Sequence, residues 1–308
     1  MPQETSLKKL NTANYRHKLR AACEWLNIGQ GRAAAYRRLL DEFEKGSRSD
    51  EHILAYYESY EIVELFELWE RRVDEFPGLK KKIRKVCKKG PVLREDETMN
   101  ALSNRPRNDA FCFLAAGKFL AADISVVRVD GIASRKATSE SNADFTFRWE
   151  ESYIDVECKR LQSENQLLKR AEEARDQSTR SGYCGIVAID CPVLGRPAGT
   201  VLENSAPDNA EFRLSEWLRT NIGPKIRSIL SPKVLGLILF LRVPAMTSVG
   251  MISSRANFRR DSISSWLVVG NPDCSNPEIL QKIALRLNNQ AGSTLSGGES
   301  EGSDVSEH

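Results

Sequence analysis

Tyr153-Ile154-Asp155-Val156-Glu157-Cys158-Lys159 alternates polar and apolar residues without a break. A strand turns successive side chains to opposite faces, so Ile154, Val156 and Cys158 share one face and Asp155, Glu157 and Lys159 the other. Three ionisable groups on one side of a strand otherwise suited to burial need an explanation, either chemistry on that side or a cross-strand charge pair on a solvated sheet face. A second β-type run, Asp144 to Trp149, precedes it, and Glu150-Glu151-Ser152 between them is short enough for a hairpin. That hairpin would bring Asp144 to Glu157 and Lys159.

Working outward, Arg107 to Asp190 alternates helix and strand. Asp109 to Ala122, rich in Phe, Leu and Ala, predicts a helix, and Ile124 to Val129 a strand. A polar loop follows, Ser134 to Asn142. After the hairpin, Ser163 to Thr179 predicts a helix opened by a capping box of Ser163 and Gln166. Gly185 to Asp190 and Val234 to Val243 are nearly all apolar, as central strands buried on both faces are. A helix interrupted at Gly223-Pro224 is expected over Glu211 to Leu230. The order helix, three strands, helix, strand predicts an α/β fold, a small mixed sheet flanked by helices.

The sheet region is preceded by an all-α stretch. Ile62, Phe66, Trp69, Val73 and Phe76 recur at steps of four and three, one face of an amphipathic helix. Gly46-Ser47, Pro77-Gly78 and Gly90-Pro91 punctuate the helices. The expected organisation is a helical accessory domain over 1–95, an α/β domain over 104–289, and a disordered, acidic, Ser/Gly-rich tail over 290–308.

Composition narrows the function. The chain has 308 residues, 41% hydrophobic, with a net charge of +3 too small to name a partner by itself. The charge is uneven: Leu79 to Pro91 (LKKKIRKVCKKGP) is strongly basic. Such a run either tracks phosphates or is a solvated helix end whose cations complement the dipole. The longest apolar run contains Gly236 and Arg242 and is too short for a membrane span, and Met1 to Leu10 lacks the apolar core of a secretory signal, so cytoplasmic residence without membrane contact is expected. Seven cysteines without a CxxC pair suggest reduced, packed thiols. His17 and His52 lie in the helical region and His308 ends the chain, which leaves the α/β part no histidine base for a Ser or Cys nucleophile. Gly29-Gln30-Gly31-Arg32-Ala33-Ala34 fits GxGxxA, but it follows a helical stretch and predicts a turn between helices instead of a dinucleotide site.

Two carboxylates and a lysine in one cleft suit Mg²⁺, a hard cation that needs few protein oxygens. Ala143-Asp144, a thirteen-residue step, and Glu157-Cys158-Lys159-Arg160 resemble the bipartite motif of the PD-(D/E)xK nuclease superfamily. Arg107-Asn108-Asp109-Ala110-Phe111 is similar to the first core helix of bacterial members. The resemblance covers about Arg107 to Asp190. It implies a restriction-endonuclease-like fold and a metal-dependent endonuclease acting on phosphodiester bonds, with DNA the expected nucleic acid. By it, Asp144 and Glu157 bind Mg²⁺, with Mn²⁺ as substitute, and Lys159 completes the catalytic set. Arg160, Gln162, Gln166 and Lys169 are then candidates for phosphate contact, and Asp155 for a supporting place. The N-terminal helices are left for substrate binding, dimerisation or a protein partner. Two positions depart from the pattern. Ala143 replaces a proline without chemical role, and Cys112 stands where many members carry a metal-binding acid, with Asp109 one turn earlier as its candidate replacement. The alternative implied by Cys112 is a catalytically inactive module that binds nucleic acid or a protein.

Overall fold

The computed structural model describes residues 12–45, 49–93, 105–135, 141–161, 166–178, 184–191, 202–204, 220, 224–225, 230–252, 255–271, 273–274 and 276–296. Most of the helix expected over Glu211 to Leu230, the centre of the Ser134 to Asn142 loop, Gln162, Ser163 and the end of the acidic tail lie outside them.

Four helices come first: α1 (Thr12–Trp25), α2 (Arg32–Glu44), α3 (Asp50–Trp69) and α4 (Leu79–Lys88). The breaks fall where the punctuation predicts. Gly31, at the start of α2, has φ +86°, and a Cβ there would lie 2.2 Å from the carbonyl oxygen of Lys88. Gly29 to Gly31 is thus a turn that lets α4 approach, and the dinucleotide fingerprint has no strand before it. Gly78, also at positive φ, opens α4.

The α/β part begins with α5 (Arg105–Ala121), one turn earlier than its apolar run suggests. Pro106 falls in the first turn, where its missing N–H costs nothing. Next come β1 (Ser125–Val129), β2 (Ile132–Ala133), β3 (Phe145–Trp149), β4 (Ser152–Arg160), α6 (Leu167–Ser178) and β5 (Cys184–Asp190). Then follow β6 (Leu202–Asn204), β7 (Val234–Ile252), β8 (Arg255–Gly270) and α7 (Pro277–Ser296). The mixed sheet runs β2-β1-β3-β4-β5-β7-β6, with β8 paired to β7. Strands β1, β3 and β4 form an antiparallel meander, and β4, β5 and β7 are parallel. The fold is α/β, a mixed sheet flanked by helices and preceded by helices, with α5-β1-β3-β4-α6-β5 in the expected order.

Alternation sorts the two faces. Ile154, Val156 and Cys158 face α5 in one hydrophobic cluster, with Phe145, Phe147 and Phe119. Leu167, Ala171 and Ala174 of α6 join Val187, Ile189, Leu237 and Leu239 in a second cluster on the opposite face. The first cluster continues without a break into the N-terminal helices, through Tyr36, Tyr56, Trp69 and Ile83. Trp69 Nε1 donates to the Phe113 carbonyl at 2.8 Å. A Cβ on Gly117 would stand 2.9 Å from Trp69 Nε1, so glycine permits the close crossing of α3 and α5. Arg107, fully buried on α5, donates to Glu58 Oε2 at 2.6 Å and to the Tyr36 hydroxyl at 2.9 Å. Among the described residues, no helix is long and apolar enough to cross a membrane.

Candidate active site

The hairpin sets the site. Register pairs Phe145 with Val156, Thr146 with Asp155 and Phe147 with Ile154. Asp144 stands one residue before the first of these pairs, so the register extended by one step sets it beside Glu157, whose carboxyl feels its charge. Asp144 is fixed by the partner strand, for its Oδ2 accepts the backbone N–H of Cys158 at 2.7 Å. Lys159 completes the group, with Nζ 3.9 Å from Glu157 Oε2 and both side chains largely covered. Asp144, Glu157 and Lys159 are therefore brought together, Asp144 at the entry to β3 and the other two near the C-terminal end of β4.

The electrostatics are those of crowded anions. Burial pushes the Glu157 carboxyl up to about 8, and the charge of Asp144 adds to it while Lys159 opposes it. Asp144 is raised as well, chiefly by burial, against the Cys158 hydrogen bond and Lys159. Asp155, fully buried, accepts the Thr146 hydroxyl at 2.7 Å on Oδ1, while Oδ2 has no hydrogen-bond partner. Glu157 and Asp144 are thus buried acids side by side, with Lys159 as the opposing charge. A cation would relieve them.

The helix position in question is occupied by a thiol. Cys112 Sγ donates to the Asp144 carbonyl at 3.3 Å and also meets the Cys158 thiol. Asp109, one turn earlier and half-buried, is the acid of α5: its carboxyl is raised by burial first, then, against Arg105, by the charges of Asp130 and Asp144. Asp130 has no counterpart in the sequence-based set. It occupies a turn at φ +46° before Gly131, and its backbone N–H donates to the Asp144 carbonyl at 2.7 Å. An Asp-Gly turn between two strands was its only signal.

The residues following the motif divide. Arg160 is buried beside Asp190, with Nε 3.2 Å from Oδ2, and serves the join of β4 and β5. Gln166 precedes α6 with a buried, unpartnered Oε1, and Lys169 is exposed on α6. The basic run forms α4, with Leu79, Ile83, Val86 and Cys87 buried. Lys82 Nζ lies 2.6 Å from Asp130 Oδ2 and donates to the Asp130 carbonyl at 2.6 Å. The basic helix therefore borders the carboxylates, a relation no sequence spacing carries.

Among the described residues, no group of three or more His, Cys, Asp or Glu side chains stands ready to enclose a metal. Mg²⁺ does not need such a cage, since it is usually held by one or two carboxylates and keeps several waters. Asp144 and Glu157 are the two carboxylates that would hold one, and the unpartnered Asp155 oxygen and the raised Glu157 carboxyl fit a cation at this place. Compared with family models, curated proteins and solved structures, the chain gives no match.

Proposed function

We propose that the chain is a Mg²⁺-dependent endonuclease that hydrolyses phosphodiester bonds in DNA, on a restriction-endonuclease-like core of the PD-(D/E)xK type in the cytoplasm. The observation that carries this reading is the gathering of Asp144, held by the Cys158 N–H, with Glu157 and Lys159 at one end of the β3–β4 hairpin. Asp144 and Glu157 would hold the metal, and Mn²⁺ would substitute for it. Bound there, the ion supplies positive charge against the phosphodiester and increases the acidity of water. Glu157, uncomfortable as a bare anion, is poised to become a ligand, and the Cys158 N–H holds Asp144 in place for the same role. Lys159 is covered and near Glu157, where a localised ammonium steadies charge developing on a phosphate oxygen or orients the attacking water. Asp109 takes the place of the missing helix acid.

Incubating the protein with linear and circular DNA, in Mg²⁺ and in EDTA, tests the reading. Cutting of the circle in Mg²⁺ alone, lost in Lys159→Ala, is the expected result. The second reading, a nuclease-fold module without turnover, rests on the thiol of Cys112 where a carboxylate is usual. DNA binding with no cleavage in Mg²⁺ or Mn²⁺ would favour it.

A further inference from the structure

The basic helix α4 is the charged element that the proposed chemistry leaves unused. We propose that α4 is a phosphate-tracking surface that lays a nucleic-acid strand across the carboxylate site, through Lys81, Lys85 and Lys88. This rests on the phosphodiesterase reading and adds where the substrate backbone runs.

Three observations carry it. First, the helix carries no acidic residue between Leu79 and Lys88, so its cations are not balanced along its own surface. Second, its apolar face is spent on the core, which fixes the outer face. Lys81 and Lys85 are exposed and Lys88 half-buried, and none of the three holds an ion pair among the described residues. At 100° per residue, Lys81, Lys85 and Lys88 lie within roughly 60° of one another on a stripe about 10 Å long. At about 3.4 Å of duplex axis per nucleotide of one strand, a stripe of that length lying along the axis spans roughly three phosphates. Third, the helix that carries the stripe is docked beside the site. Lys82, on the adjoining arc, is spent on Asp130, whose N–H donates to the Asp144 carbonyl. The charge of Lys85 reaches Asp109. A helix end decorated with cations only to complement its dipole would need no such docking against acids from other elements. Lys82 is accordingly a positioning residue, joining the track to the carboxylates.

The test is fluorescence anisotropy of a labelled DNA duplex with the full chain in EDTA, where the proposed hydrolysis cannot run, over a series of salt concentrations. Lys81→Ala/Lys85→Ala/Lys88→Ala is compared with wild type and with Lys282→Ala on α7. The three surface changes leave the core intact, which circular dichroism verifies. The triple variant should bind at least about tenfold more weakly, with the slope of log K against log salt shallower by roughly 2–3, as expected for three lost phosphate contacts. Lys282→Ala should change neither. An unchanged affinity and slope in the triple variant overturn the track, even if the wild type cleaves DNA; so does a wild type that does not bind. Binding with the predicted loss, but without cleavage in Mg²⁺, keeps the track and defeats the enzymatic reading instead.

Discussion

Asp144 Oδ2 accepts the backbone N–H of Cys158 at 2.7 Å, so the carboxylate proposed as a metal ligand also holds the hairpin together. Asp144→Asn keeps an oxygen for that N–H, and Asp144→Ala removes it. The asparagine variant should lose cleavage while unfolding near the wild-type urea midpoint. The alanine variant should lose cleavage and about 1–2 kcal/mol of stability, because a backbone donor loses its partner. Equal destabilisation of the two would contradict the clamp.

Glu157 makes stability depend on pH. Its folded value, raised from 4.5 to about 8, means that the fold tolerates the neutral acid better than the anion. The sign follows: the contribution is intact below the unfolded value and is lost as pH rises through the folded one. Between about pH 5 and 8, wild type in EDTA should therefore lose stability relative to Glu157→Gln. From below pH 5 to pH 8 the stability difference should move in the variant's favour by about 2 kcal/mol or more. Asp144 and Asp109, also raised, act in the same direction. Thermal melts of both proteins across this range decide it, and parallel curves would refute the assignment.

Gly31 is required for two reasons at once, its φ of +86° and the Lys88 carbonyl where its Cβ would be. Gly31→Ala should cost about 3 kcal/mol, through strain and displacement of α4. It should also weaken DNA binding, since the end of the basic helix must shift. Urea denaturation measures the first effect. A neutral substitution would mean that α4 is not held against the α1–α2 turn.

Arg107 and Glu58 form a buried ion pair between α5 and α3, with side chains 0% and 8% exposed. Removing one partner strands the other charge away from water. Glu58→Ala should destabilise by about 3–5 kcal/mol. Replacing both with apolar residues, Arg107→Met/Glu58→Leu, should recover much of that loss. A double variant as weak as the single one would show that the pair contributes more than mutual neutralisation.

Local alternation made the hairpin legible, because Ile154, Val156 and Cys158 could only face one way and the three ionisable residues the other. The runs at Gly185 and Val234 were legible for a related reason: parallel central strands need apolar residues on both faces. β8 was not. Its sequence, RANFRRDSISSWLVVG, is rich in Arg and Ser and has an apolar run only at its end, and its strand character comes from pairing with β7. At the site, Asp144, Glu157 and Lys159 could be assembled from one hairpin's register. Asp130 and Lys82 could not, because they are 48 residues apart and meet only when α4 docks beside the β1 turn. The boundary drawn between 95 and 104 followed Gly90-Pro91, local signals that hold no trace of Arg107 reaching Glu58.

α5 has no spare side. Its Phe111 stacks on Phe240 of the sheet, its Phe113 carbonyl takes the Trp69 indole, and its Gly117 admits α3. A truncated chain starting near residue 104 would present that second flank to solvent as a long greasy stripe, and such a fragment should aggregate on expression. Limited proteolysis between α4 and α5 should yield two pieces that stay associated through gel filtration and melt in one transition.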